Sequence, residues 1–351
     1  MEFATEVALA PLTTLGVGGV ADHFVRVGTL EELTEALEWA ERQRLPVHLL
    51  GGGSNVVVDD DGVPGLVVQV ALTGIRWEDQ GNQVLVNAGA GESWDGLVAR
   101  ATEKGLAGIE CLSGIPGCVG ATPIQNVGAY GQDVSETIEN VTCYDREERE
   151  VVHLSRRQCE FSYRDSMFKR RRDDRFVVLS VSYRLRRQGS PAVRYPELSK
   201  TLSARGMSAP TLQQVRDCVL ELRRSKSMVV DAADPMSKSC GSFFLNPVVD
   251  AALAEQVARA AKAGKDMPAF PEPDGRVKLS AAWLIERSGC EKGLQHGSAQ
   301  ISDKHALALV AGAAGTASDV LALAAIIRER VAEQFGVELV REPSLWGRQR
   351  T

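Results

Sequence analysis

The first 187 residues alternate between the hydrophobic periods of strands and helices. Apolar or alternating runs predict strands at residues 21–27, 45–50, 65–70, 84–88, 138–145, 149–153 and 176–184. Thr29 precedes a segment with acidic residues in its first turn and apolar residues at helical spacing, and residues 93–104 form a second predicted helix. This mixture, with helices falling between strands, predicts an α+β arrangement.

The pattern changes after this region. Residues 186–200 are polar and contain proline, which predicts a loop that includes Tyr195. Helical spacing follows at residues 211–225, 251–263, 279–288 and 317–335. The last helix is expected to end at Gly336, and the chain closes with a strand-like tail.

Residues 114–131 (GIPGCVGATPIQNVGAYG) follow neither period and contain five glycines in eighteen residues. Glycine allows consecutive backbone N–H groups to turn toward one point, which makes a concave anion site. The alternative is a plain surface loop, although a structureless loop of this length is uncommon unless it is functional.

Two further glycine clusters, at residues 51–55 and 89–91, each lie close behind an apolar strand-like run. The first lacks the helix that a Walker or Rossmann turn requires after the glycines, and the second does not complete the G-x-G-x-x-G pattern with a following ribose-binding acid. Taken with residues 114–131, they suggest several loops that converge on one diphosphate.

Composition narrows the class of protein. A net charge of −6 gives no electrostatic reason to expect nucleic acid or an anionic membrane as partner. The seven cysteines show no CxxC pair and no zinc-finger spacing, so we expect reduced thiols and no metal site. The N-terminus lacks the features of a signal peptide, and polar breaks interrupt the most apolar tract, residues 306–327. A soluble cytoplasmic protein is expected.

Three segments together resemble one enzyme family. PGCVGATPIQNVGAYG at residues 116–131, FSYRDSMFK at 161–169 and GSFFLNP at 241–247 strongly resemble UDP-N-acetylenolpyruvoylglucosamine reductases, the flavoenzymes that are also called UDP-N-acetylmuramate dehydrogenases. Four more motifs occur in the family's order: TTLGVGG, LLGGGSN, VNAGAGESW and KLSAAWLIE. Seven ordered motifs are far more specific than a single glycine pattern.

The resemblance implies an α+β fold with a two-subdomain FAD-binding part of the p-cresol methylhydroxylase type and a separate C-terminal α+β substrate-binding domain. On this basis we expect the first FAD subdomain at residues 1–70 and the second at 71–218, including the 186–200 loop. The substrate-binding domain is expected at 219–335, and the tail, 336–351, is expected to join the first subdomain.

The resemblance also implies the reaction. NADPH reduces noncovalently bound FAD, and the enolpyruvyl group of UDP-N-acetylglucosamine enolpyruvate then receives a hydride and a proton to give UDP-N-acetylmuramate. Arg164 would stabilise the developing negative charge, and Ser242 would donate the proton. The carboxylate that completes the set would be Glu342, with Glu338 as the rival. The family often has a basic residue two positions after this glutamate, where this chain has Ser344.

The remaining site residues are also implied by the matching motifs. The residues expected to bind FAD are Gly51, Gly52, Gly53, Ser54, Asn55, Gly117, Gly120, Thr122, Gln125, Asn126, Gly128 and Tyr163. The residues expected to bind the substrate are Tyr195, Lys226, Asn246, Lys278 and Gln295. Tyr195 matches the tyrosine with which one subclass closes over the sugar nucleotide. A monomer is expected, with no nucleic acid or membrane partner.

Two other hypotheses remain open from the residues. The chain could be another FAD-dependent sugar or lactone oxidoreductase of the same fold, which would keep the glycine loops without needing Ser242, Tyr195 or Lys226. It could also be a non-enzymatic protein that binds a flavin or nucleotide. The joint presence of the serine, arginine and glutamate motifs argues against both.

Overall fold

The structure, a computed structural model, describes residues 1–171, 174–262 and 267–347. The chain divides into two compact units. The first comprises Met1–Val7, Ala21–Gly53 and Pro64–Val229, and the second comprises Ala8–Val20, Ser54–Val63 and Val230–Thr351. The three-part division expected from the sequence stays a prediction. Residue 263 of a predicted helix and residues 348–351 of the predicted tail lie outside the described residues.

The regular elements are as follows. The helices span Leu30–Gln43, Trp94–Glu103, Met167–Arg171, Pro196–Ala204, Leu212–Ser225, Ala251–Ala260, Ala281–Arg287 and Ala317–Phe335. The strands span Ala4–Ala8, Val20–Val27, Val47–Leu50, Val56–Val58, Val63–Val70, Ile75–Gln80, Gln83–Gly89, Leu106–Ala107, Gly128–Ala129, Gln132–Asp133, Ile138–Asp145, Glu150–Ser155, Phe176–Arg187, Val248–Val249, Ala269–Pro271, Val277–Leu279, Gln295–His296, Ala299–Ile301, Leu309–Ala311 and Ser344–Trp346.

A four-stranded sheet forms one part of the first unit. Its strands lie in the order Ala4–Ala8, Val20–Val27, Val63–Val70, Val47–Leu50. The helix Leu30–Gln43 buries Leu33 and Ala36 in the core formed with this sheet. Thr29 caps the helix, because its side chain accepts a hydrogen bond of 3.2 Å from the Glu32 N–H. The cap and both flanking strands confirm the sequence prediction.

A larger sheet forms the rest of the first unit. The strand Phe176–Arg187 pairs with Ile138–Asp145 on one side and with Gln83–Gly89 on the other, both antiparallel. Strands Glu150–Ser155 and Ile75–Gln80 lie at the two ends of this path, and the predicted hairpin at residues 138–153 is confirmed. The helix Trp94–Glu103 packs against this sheet, with Trp94 and Tyr183 fully buried.

The second unit is built around the long helix Ala317–Phe335. Val320, Leu323 and Ile327 are buried in its core. Asp60 accepts hydrogen bonds from the first N–H groups of this helix, at 2.7 Å from Ala317 and 2.9 Å from Ser318. At the other end Gly336 adopts a left-handed conformation with φ of 67°, as the sequence predicts.

The tail differs from its sequence prediction. Within residues 336–347, the part of the tail that the structure describes, only Ser344–Trp346 forms a strand, which pairs in parallel with Val56–Val58. The segment before this strand forms isolated backbone hydrogen bonds with residues 243–245. In one of them the Leu245 N–H donates to the Val340 carbonyl over 3.0 Å. Pro343 lies between the residues that bond to 243–245 and those that pair with 56–58, and it has no N–H to donate to either. Across the described parts of the chain, no helix combines the length and the apolar character that crossing a membrane requires.

Candidate active site

The structure brings the three glycine clusters of the first unit into direct backbone contact. A Cβ at Gly52 would lie 2.7 Å from Cα of Gly117, and a Cβ at Gly120 would lie 2.6 Å from Cβ of Ala90. The Gly120 N–H donates to the Ala90 carbonyl over 2.9 Å. Only a residue without a side chain allows this approach, so glycine is required at these positions for steric reasons.

Arg164 ties the YRDS segment to the long glycine loop. Its guanidinium donates to the carbonyls of Asn126, at 3.3 Å, and Gly128, and lies 3.5 Å from Asp133. Gly128 has no space for a side chain, because a Cβ there would overlap the Asp133 carboxylate. Arg164 itself has a φ of 51°, a left-handed conformation that is uncommon for a residue of its size.

Asn126 is a second link between these segments. Its side-chain amide donates to the Ser162 carbonyl over 2.8 Å and accepts from the Ser135 N–H over 3.2 Å. Thr122 is buried and shares a hydrogen bond of 2.7 Å with the Tyr183 hydroxyl. These side chains therefore shape the loop from inside.

Two other predicted FAD residues lie at the surface of this region. Gln125 accepts a hydrogen bond of 3.0 Å from Lys169, and the exposed Tyr163 ring lies 5.5 Å from the Arg164 guanidinium carbon. Ser54 and Asn55 belong to the second unit, where the Asn55 carbonyl accepts from the Ser344 N–H over 3.0 Å.

Ser242 lies in a short segment of the second unit that is held by backbone hydrogen bonds. It forms an isolated antiparallel bridge with Ala308, and the Phe243 N–H donates to the Leu307 carbonyl over 2.7 Å. Phe243 and Phe244 are buried with their ring centres 5.3 Å apart. The buried pair fixes the backbone of Ser242, which itself stays partly exposed.

The tail brings Glu342 to this same segment. Its backbone N–H donates to the Phe243 carbonyl over 2.9 Å. Burial raises the pKa of the Cys240 thiol to about 12, and the negative charge of Glu342 adds to that shift. Glu338 instead is 78% exposed at its side chain and pairs with Arg328 at 3.0 Å.

Tyr195 and Lys226 meet around a third residue, Tyr130, in the first unit. The Tyr195 ring packs edge-to-face on Tyr130 at 5.4 Å, and Nζ of Lys226 lies 6.0 Å from the centre of the Tyr130 ring. Lys226 also forms an ion pair of 2.6 Å with Glu197. Burial raises the pKa of Tyr130 to about 12, so its hydroxyl stays protonated and able to donate.

Tyr130 and Arg223 lie beside the predicted residues Tyr195 and Lys226, and the sequence reasoning did not single them out. Arg223 is buried, donates to the Met228 carbonyl over 2.7 Å, and has an Nε that finds no hydrogen-bond partner among the residues described. Burial lowers the pKa of Arg223, and the nearby Tyr130 opposes that shift. Tyr130 had a signal in the sequence, since a tyrosine flanked by Ala129 and Gly131 is unusual in a loop of small residues.

The other predicted substrate residues lie in the second unit. Asn246 accepts a hydrogen bond of 2.9 Å from the Ala281 N–H at the start of a helix, and Lys278 forms an ion pair of 2.6 Å with Glu272. Lys278 pairs across a short sheet with Val248, which follows Asn246 by two residues. Gln295 lies in a different sheet, exposed, and bonds to Gln300 at 3.1 Å.

The converging loops of the first unit fit FAD. The packing of Gly52 against Gly117 brings two of the glycine loops together, and loops of this kind hold phosphate groups through backbone N–H groups. Residues 51–53 and 117–128 would therefore hold the cofactor. No group of three or more His, Cys, Asp or Glu side chains suited to a metal ion occurs within the described ranges.

Known proteins share these features. A family model for the C-terminal domain of UDP-N-acetylenolpyruvoylglucosamine reductase matches residues 234–346, and an FAD-binding-domain model matches residues 21–155. The UDP-N-acetylenolpyruvoylglucosamine reductase of Thermobifida fusca is 47% identical, with 98% of each chain covered. That of Streptomyces coelicolor is 46% identical, covering 95% of this chain and 88% of the relative.

A solved structure matches over the whole length as well. The crystal structure of UDP-N-acetylenolpyruvylglucosamine reductase from Thermus caldophilus superposes with a TM-score of 0.67 at 27% identity, and covers 99% of this chain and 100% of that one. The similarity therefore spans both units of the chain.

Proposed function

The chain belongs to the UDP-N-acetylenolpyruvoylglucosamine reductase family, and from this membership we propose that it reduces the enolpyruvyl group of UDP-N-acetylglucosamine enolpyruvate to give UDP-N-acetylmuramate, with NADPH as the reductant. When bound, FAD supplies the chemistry that accepts a hydride from NADPH and delivers it to the enolpyruvyl group. The reaction belongs to the synthesis of peptidoglycan precursors.

The family assignment confirms three expectations from the sequence. These are the family itself, the α+β fold with an FAD-binding part, and the class of FAD-dependent oxidoreductase. Relatives that align over nearly the full chain argue against the alternative of a different sugar or lactone oxidoreductase.

The observation that carries the chemical part of the proposal is the hydrogen bond of 2.9 Å between the Glu342 N–H and the Phe243 carbonyl. It joins the tail to the residue directly after Ser242. We assign to Ser242 the donation of a proton to the carbon that becomes electron-rich after hydride arrival. A serine hydroxyl is a weak acid, so its role requires a polar partner, and we assign that part to Glu342, which the tail attaches at the neighbouring residue Phe243.

Arg164 is assigned the stabilisation of negative charge on the reacting group. An arginine stays charged at any working pH and can bind a carboxylate through two N–H groups. Its contacts with the Asn126 and Gly128 carbonyls support this role, because they fix the guanidinium at the loop that would hold the cofactor.

Tyr195, Lys226 and Tyr130 are proposed to bind the substrate diphosphate. Lysine provides a point charge for phosphate oxygens, and the two tyrosines provide hydroxyl donors and aromatic surface. The buried Arg223 adds a second positive charge beside Tyr130. Asn246, Lys278 and Gln295 remain proposed contacts to the rest of the sugar nucleotide.

The cofactor and the reductant can be tested together. The purified protein should be yellow from noncovalently bound FAD, and denaturation should release the flavin. Anaerobic addition of NADPH should bleach the flavin absorbance rapidly. A colourless protein, or one whose flavin NADPH leaves oxidised, would contradict the proposal. We further propose that the protein acts as a monomer in the cytoplasm, which gel filtration and cell fractionation would test.

A further inference from the structure

Glu197 and Lys226 form an ion pair inside the group of residues proposed to bind the diphosphate. Nζ of Lys226 lies 2.6 Å from Oε2 of Glu197, and their side chains are 31% and 37% exposed. A lysine paired in this way offers less charge to an incoming anion, because the carboxylate already neutralises it.

The ion pair neutralises part of the positive charge that lies around Tyr130. Lys226 and Arg223 are positive and lie on or near the Tyr130 ring, and Glu197 supplies a negative charge beside them. If Glu197 separates from Lys226, two positive charges and the tyrosine hydroxyls face an anion together. While Glu197 is paired with Lys226, the charge of that lysine is neutralised and only Arg223 remains.

The position of Glu197 has a cause that is independent of Lys226. It is the second residue of the helix Pro196–Ala204, where the positive end of the helix dipole favours a carboxylate. Tyr195 is the N-cap residue of the same helix. A movement of the helix start that takes Glu197 away from Lys226 would also move Tyr195, which precedes Glu197 by two residues.

We propose that Glu197 is an internal competitor for Lys226, which holds the lysine charge in the ligand-free protein and is displaced by the diphosphate of the substrate. This inference rests on the proposed function, which assigns Lys226 and Tyr195 to that diphosphate. A diphosphate carries more negative charge than a carboxylate, so it gains from the exchange. A singly charged anion gains little, so the pair makes the site selective for diphosphates.

The test uses the flavin-loaded enzyme and Glu197→Gln, which keeps the shape of the side chain and removes its charge. UDP serves as a non-reacting probe, and its inhibition constant is measured beside the KM for the enolpyruvyl substrate. Both constants should fall roughly two- to fivefold, the range that corresponds to an exposed ion pair, with kcat unchanged. An unchanged or increased inhibition constant for UDP would overturn the proposal.

A double-mutant cycle separates competition from a general effect on the helix. In the Lys226→Gln background, Glu197→Gln should no longer improve UDP binding, because the charge that it competes for is absent. The same improvement in both backgrounds would contradict the proposal. Glu221→Gln is the matched control, because Glu221 pairs with Arg205 at 2.5 Å on the neighbouring helix Leu212–Ser225, and it should leave both constants unchanged.

Two further measurements distinguish failure of this proposal from misfolding of a variant and from failure of the proposed function. If Glu197→Gln fails to fold, Glu197→Asp replaces it, because a shorter carboxylate keeps the negative charge at the helix start and reaches Lys226 less well. It should lower the UDP inhibition constant by a smaller factor, and an unchanged constant would count against the proposal. Failure of the proposed function appears separately, as an unmodified enzyme whose reduced flavin is not reoxidised by the UDP-sugar.

Discussion

The Glu342 N–H donates a hydrogen bond of 2.9 Å to the carbonyl of Phe243, the residue that follows Ser242. The last part of the chain is thereby attached to the segment proposed to deliver the proton. Ser242 is held on its other side by a bridge to Ala308. The two attachments fix the backbone of Ser242 before any ligand binds, which reduces the cost of placing its hydroxyl at the reacting carbon.

Ser242→Ala should separate the two half-reactions. Reduction of the flavin by NADPH needs no proton from Ser242 and should stay within about twofold of the parent rate. Reoxidation by the enolpyruvyl substrate should slow by roughly 10²–10⁴-fold, the range for loss of a general acid. Anaerobic stopped-flow absorbance of the flavin measures both rates. An equal loss in the two half-reactions would show that Ser242 is not the proton donor.

Glu342→Gln and Glu338→Gln should have different effects. Glu342 lies beside the Ser242 segment, so losing its charge should slow reoxidation by about 10²-fold or more. Glu338 is exposed and pairs with Arg328, so its substitution should change the rate by less than about twofold. The same stopped-flow experiment compares them. A larger loss for Glu338→Gln would reverse the assignment.

Gly52→Ala should disturb the contact between the glycine loops. The new Cβ would lie 2.7 Å from Cα of Gly117, and relief of that overlap should cost about 1–3 kcal/mol. Gly51→Ala is the neighbouring control for thermal stability, because its Cβ would meet nothing closer than Cys118 Cβ at 3.9 Å. Thermal unfolding and the flavin content of the purified proteins measure the effect. If both variants retain parental Tm and flavin, the close contact is unimportant.

The hydrogen bonds of the Asp95 carboxylate should make the stability of the fold depend on pH. The carboxylate accepts hydrogen bonds of 2.6 Å from the Gly114 N–H and from Arg216. Burial alone would raise the pKa of the Asp95 carboxyl, but these bonds hold that pKa below its usual value. A depressed folded-state pKa gives a stabilisation that is present above the unfolded pKa, near 4, and is lost as the pH falls through the folded value.

Asp95→Asn should therefore lower the Tm at neutral pH and reduce the loss of Tm between about pH 5 and 3. Unfolding followed by circular dichroism across this pH range makes the comparison. If the parent and the variant lose Tm in parallel as the pH falls, Asp95 contributes nothing to the acid sensitivity.

Local order was predictable from the sequence where it depends on near neighbours. The cap at Thr29, the left-handed Gly336 and the hairpin at residues 138–153 follow from residue types and spacing, and the structure has all three. The convergence of glycine loops was also predictable, because glycine is the residue that close backbone contact demands.

Contacts between distant residues were not predictable in the same way. Asp165 follows Arg164 directly in the sequence but pairs with Arg170, whereas Arg164 contacts Asp133 and loop carbonyls. The packing of Tyr195 and Lys226 on Tyr130 likewise depends on how helices and loops fold together. A residue type shows which interactions a side chain can make, but only the fold shows which residues come into contact.

The identity of the compound that reoxidises the reduced flavin tests the central claim most directly. The protein is reduced with one equivalent of NADPH without oxygen and mixed with UDP-N-acetylglucosamine enolpyruvate, while flavin absorbance and the UDP-sugar product are followed. We predict rapid reoxidation with one UDP-N-acetylmuramate formed per flavin, much faster than reoxidation by dissolved oxygen. A flavin that the UDP-sugar leaves reduced while oxygen reoxidises it readily would contradict the account and indicate an oxidase.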